Sequence, residues 1–101
     1  MVWVLVRHKV EDYEKWKPVF DESKAKMKEH GALQFMVTRD RGDGNLVSVG
    51  IAWPSFEDAE AFMSSEWLKE AMGRAGVLQP LTVFHMEPAD ACDFTKCCCG
   101  G

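Results

Sequence analysis

No stretch of this chain approaches the roughly 18 consecutive apolar residues that a membrane-spanning helix needs, so no membrane partner is expected. The opening Met1–Val6 is apolar but too short for a secretory signal, and no small-residue cleavage site follows it. The expected location is therefore cytoplasmic. Clustered positive charge is missing too. The formal net charge is -4, which argues against a nucleic-acid partner. Lys15, Lys17, Lys24, Lys26 and Lys28 are interleaved with Glu11, Asp12, Glu14, Asp21, Glu22 and Glu29, the pattern of a solvated helix face. Cysteine is absent before Cys92. There is no CxxC pair, no HExxH and no glycine-rich phosphate loop, so nothing indicates a nucleotide cofactor. Internal repeats are absent as well.

What is present is enough for one modest domain: 101 residues, 47% hydrophobic and 28% charged. "VWVLVRHKV" (Val2–Val10) is rich in β-branched and aromatic residues and reads as a strand. Asp12 is a suitable N-cap for a helix running to His30, with Gly31 just past its end. Tyr13, Trp16, Phe20, Ser23 and Met27 recur at helical spacing and make its inner stripe. Pro18 predicts a kink, or a separate first turn ending at Lys17. A second strand is expected over Leu33–Asp40. "GDGN" (Gly42–Asn45) should supply the positive-φ positions of a hairpin turn, and a third strand returns over Leu46–Trp53.

Ser55 and Asp58 form a weak capping box for a second helix. That helix restarts after Ser65, buries Trp67, Leu68, Ala71, Met72 and Ala75, and ends at Gly76. Leu81–Pro88 completes the pattern as a fourth strand. The order β-α-β-β-α-β predicts an α+β, ferredoxin-like domain over residues 1–88, with a four-stranded antiparallel sheet and both helices on one face. Trp3, Leu5, Val47, Val49, Ile51, Trp53, Phe84 and Met86 suggest that the other face is apolar as well. A bare apolar face of that size is an association site, so a homodimer with the sheets face to face is expected.

Three phrases carry a family likeness: "DYEKWKPVFDE", "TRDRGDGNLVSVGIAWPSFEDAEAFMSS" and "EWLKEAMGRAGV". Over about Val2–Pro88 the chain resembles the antibiotic-biosynthesis-monooxygenase-like proteins of the dimeric α/β-barrel superfamily. The resemblance implies the ferredoxin-like fold and a homodimeric α/β barrel. It does not by itself imply one activity, because that superfamily includes monooxygenases, heme-degrading enzymes, isomerases and ligand sensors. The iron-ligating helix histidine of the heme-degrading branch falls near Met72 here. The first-strand asparagine of that branch is replaced around Arg7 or His8, so heme degradation is disfavoured. The cofactor-independent monooxygenases in the superfamily use an aromatic-lined cavity for a phenolic substrate. The resemblance thus implies a small hydrophobic or aromatic ligand and no cofactor for the barrel.

Within that frame His85 is the candidate catalytic base, because an imidazole titrates near neutrality and can take a proton from a phenol or enol. Trp53, Trp67, Arg39 and His8 are candidate substrate-binding residues. Each also has a plainer role: tryptophans fill cores and interfaces, strand arginines form edge ion pairs, and strand histidines are often only hydrogen-bonded. His30 is expected to cap its helix.

The remaining feature is the end of the chain, residues 89–101, read as a flexible cysteine-rich tail. Cys92, Cys97, Cys98 and Cys99 form a C-x4-C-C-C pattern. In a reducing compartment such thiols are candidate ligands for Cu(I) or Zn. Structural zinc sites, however, usually pair two C-x2-4-C knuckles from separate segments. A substrate for enzymatic modification and an inert tail fit the same residues. The expected function is small-molecule binding with a monooxygenase-like activity. Its alternative is a non-enzymatic dimeric platform for the tail.

Overall fold

The computed structural model describes residues 1–92 and 94–96. The chain runs β1 (Val2–Val10), α1 (Tyr13–Glu29), β2 (Gln34–Arg39), β3 (Leu46–Trp53), α2 (Phe56–Met63), α3 (Glu66–Arg74) and β4 (Val77–Met86). The strands form one antiparallel sheet in the order β2-β3-β1-β4. This is the ferredoxin-like arrangement that the element order implied, with the second helix divided in two.

Period-two alternation decides which side chains meet the helices. On β1, Val4, Val6, His8 and Val10 are buried, while Arg7 and Lys9 between them are exposed. The register sets Val4 opposite Ile51, Val6 opposite Val49 and His8 opposite Val47. Those residues, with Trp53, form the sheet side of the core, against Trp16, Phe20 and Met27 of α1 and Phe62 of α2. Val4, Val10, Val47 and Trp53 are essentially fully buried, each contributing roughly 1.5–3 kcal/mol relative to an exposed side chain. The expectation for the open face therefore needs correcting. Val47, Val49, Ile51 and Trp53 lie under the helices. Trp3, Leu5, Phe84 and Met86 occupy the opposite face, in register with Ala52 and Gly50, and Met36 joins them opposite Gly50.

Local chemistry sets the helix ends. Asp12 accepts a hydrogen bond from the Glu14 N–H at 3.0 Å and opens α1. Gly31, at φ 95°, closes it, and the Ala32 N–H reaches back to the Met27 carbonyl at 3.0 Å. Pro18 does not set off a separate first turn: α1 runs unbroken through it. Its ring sits on the exposed side and removes one donor, while Trp16 and Phe20 on either side bury their rings in the core. Ser65 serves two helices. Its hydroxyl donates to the Phe62 carbonyl at 2.8 Å and accepts from the Leu68 N–H at 3.2 Å, which ends α2 and starts α3.

Two boundaries differ from the sequence reading. The β2–β3 connection uses no left-handed glycine; Asp40 Oδ2 accepts from the N–H groups of Gly42 and Asp43, and Asp43 Oδ1 accepts from that of Asn45. Side-chain acceptors do the work assigned to positive φ. β4 begins at Val77 rather than Leu81, passing through Pro80. An edge strand tolerates a proline, and the β1–β4 register slips between Arg7 and Lys9 at this level.

Candidate functional site

The helices do not close completely on the sheet. Between them lies a cavity of about 80 Å³. Val6, His8, Val49 and Ile51 form its floor, Trp16, Val19, Phe20 and Met27 of α1 one wall, and Phe62, Met63, Leu68, Ala71 and Met72 the other. The inner stripe of α1 thus walls a cavity besides filling a core. Three of these wall residues are methionines, whose flexible thioethers suit an adaptable surface.

His8 is the one titratable group in this lining. It is 6% exposed, and neither ring nitrogen has a hydrogen-bond partner. Burial pushes its pKa below the ordinary 6.5, so the neutral imidazole prevails at pH 7. Buried polar groups are normally satisfied, so an imidazole with neither nitrogen paired to a protein group singles out this position. Because of the register slip after Arg7, His8 has no opposite residue on β4, and such irregularities re-aim side chains next to sites. The Trp16 ring lies 5.8 Å from the imidazole and stacks on Phe20 at 4.9 Å. Ser23, the other polar lining residue, donates its hydroxyl to the Phe20 carbonyl at 2.6 Å.

The residues singled out from sequence do not all converge there. His85 points to the helix side of β4 but lies beyond the cavity, exposed, with its ring 5.7 Å from Phe56. Trp53 is fully buried against Phe62 with its indole N–H unpartnered, and does not line the cavity. Trp67 is half-buried on α3, outside the lining. The Arg39 guanidinium stacks on Tyr13 at 3.8 Å, and its Nε donates to the Gly44 carbonyl at 2.8 Å. Of that set, only His8 reaches the cavity. A second hollow of about 270 Å³ lies among Arg7, Thr38, Arg39, Asp40 and Arg41. It is larger but polar and exposed, and holds no buried unsatisfied group. His30 behaves as expected, its Nδ1 donating to the Lys26 carbonyl at 2.9 Å.

In the tail, Cys92 is disulfide-bonded, a state in which its sulfur is not a thiolate ligand. The expected ligands Cys97, Cys98 and Cys99 lie outside the described residues. Among the described residues, no group of three or more His, Cys, Asp or Glu side chains is placed to hold a metal ion, and no helix is long and apolar enough to cross a membrane.

The chain is a ferredoxin-like sheet with an apolar cavity of about 80 Å³ under its helices. No protein-family model and no curated protein sequence matches the chain. Solved structures match it in shape. An antibiotic biosynthesis monooxygenase superposes with a TM-score of 0.73 at 17% identity, over 89% of this chain and 100% of its own. SnoaB of Streptomyces nogalater, a cofactor-independent oxygenase, gives 0.70 at 13% identity, over 87% of this chain and 94% of its own. PA3566 from Pseudomonas aeruginosa gives 0.69 at 17% identity, over 88% and 94%. The chain has the ferredoxin-like fold of the antibiotic biosynthesis monooxygenases.

Proposed function

We propose that the protein binds a small apolar ring compound in the cavity between α1, α3 and the sheet, and oxidises it with dioxygen without a cofactor. The observation that carries this reading is the buried, unpartnered imidazole of His8 among apolar walls. The shared fold with SnoaB, described as a cofactor-independent oxygenase, supports the choice of chemistry. A neutral imidazole nitrogen accepts the proton of a bound phenol, leaving a phenolate whose ring is electron-rich enough to react with dioxygen. In the balanced reaction one oxygen atom of O2 enters the ring and the other leaves as water, converting the phenol to a quinone. His8 therefore takes the proton-accepting role that sequence alone gave to His85, and Trp16 and Phe20 hold the ring. In this reading two copies pack their open sheet faces together, and residues 89–101 are appended to the domain rather than part of the site.

Oxygen uptake with a panel of phenols tests the reading. His8→Gln should lower kcat about 100-fold or more, the usual worth of a general base, with the melting temperature little changed, whereas His85→Gln should retain activity. Full activity in His8→Gln, or loss of activity only in His85→Gln, contradicts the assignment.

A further inference from the structure

The dimensions and polarity of the cavity limit what it can admit. Its volume, about 80 Å³, is several times the roughly 10–15 Å³ that one water requires, yet far below the roughly 300–1,000 Å³ of pockets for drug-sized ligands. That volume matches one six-membered ring with a small substituent better than a fused ring system. No charged side chain lines it. Since burial favours the neutral form of His8, an anionic ligand would enter without a counter-charge, at a large desolvation cost. Ser23 donates its proton to the Phe20 carbonyl, whereas the imidazole offers a ligand two buried nitrogens with no partner.

The walls differ in rigidity. The floor belongs to the two central strands of the sheet, and Trp16 and Phe20 are locked by stacking at 4.9 Å. The opposite side carries Met63 at the end of α2 and Met72 on α3, both only partly buried. Both side chains line the cavity on that side, where flexible thioethers make the wall adaptable.

From these observations, and resting on the reading that this cavity is the ligand site, we infer that it selects uncharged single-ring molecules bearing one hydroxyl or carbonyl group, and that Met63 and Met72 set the size limit. Binding is measured by isothermal titration calorimetry at about pH 7, with phenol, benzoate and 1-naphthol as probes. Phenol should bind, with benzoate and 1-naphthol each about tenfold weaker or worse, the order of discrimination available from a misfit group in an apolar pocket. Met72→Ala, with Met63→Ala as a second variant should the first lose its fold, should bring 1-naphthol to within a few-fold of phenol and leave benzoate excluded. Benzoate or 1-naphthol binding as tightly as phenol to the wild type overturns the inference, as does the absence of binding by any probe. Because calorimetry reads no oxidation, phenol binding without oxygen uptake would remove the oxygenase reading alone. Turnover of fused-ring phenols with no affinity for phenol would remove this inference alone.

Discussion

At the scale of single residues, His8 dominates the account. Its pKa in the folded chain is lowered by burial, so below the ordinary value of 6.5 the unfolded chain takes up a proton that the folded chain resists. Stability therefore falls as the pH drops below about 6.5, and His8 adds no pH dependence above it. His8→Leu should remove this component: urea unfolding at about pH 7 and about pH 5 should show a smaller loss on acidification than in the wild type. An unchanged loss would mean that the imidazole is not desolvated as described. Part of this role was legible in the sequence. Alternation along β1 places His8 on the same side as Val4, Val6 and Val10, so its inward direction followed from parity. His85 passes the same test, being in register with Val4, and yet it is exposed. Parity gives the face of a strand, whereas depth depends on where the helices cross it, and no spacing in the chain encodes that crossing.

At the scale of elements, the caps are the part that sequence conveyed best. Asp12, Ser55 and Ser65 each accept the backbone hydrogen bond that their positions implied. Ser65→Ala should cost about 1–2 kcal/mol in thermal or urea unfolding, since both the α3 cap and the bond closing α2 are lost. Pro18 does not end the first turn because burial of Trp16 and Phe20 outweighs the one donor it removes. Pro18→Ala restores that donor on an exposed helix face and should stabilise the fold by about 1 kcal/mol; a lower melting temperature would show that the ring itself is needed. β3 departs from the expected facing for a different reason. Val47, Val49, Ile51 and Trp53 form one inward row, while Leu46, Ser48, Gly50 and Ala52 form the other. Two small or apolar rows look alike in sequence, and only their pairing with β1 separates them.

At the scale of the whole molecule, the open sheet face is the largest unexplained feature. Met36 is 63% exposed and Phe84 46%, with Met86, Trp3 and Leu5 on the same face. Apolar surface of this kind marks an association site, and a second copy covers it in the proposed arrangement. Sedimentation should find a dimer, and Phe84→Asp should give a folded monomer. Ile51→Asp should instead unfold the chain, because it places a carboxylate in the core at a cost of several kcal/mol. A wild-type monomer at micromolar concentration would contradict the face-to-face arrangement. The core and the side chains packed against it run from Val2 to Val83, so a chain ending at Pro88 should melt within a degree or two of the full chain; a large drop would make residues 89–101 part of the domain. The central claim is that the cavity beneath the helices, with His8 in it, is where a ligand binds. It is tested most directly by NMR of the imidazole resonances of His8, His30 and His85 during titration with phenol. His8 should shift with a saturable curve while His30 and His85 stay nearly fixed. A saturable shift of His85 with His8 unmoved would place the site elsewhere and contradict it.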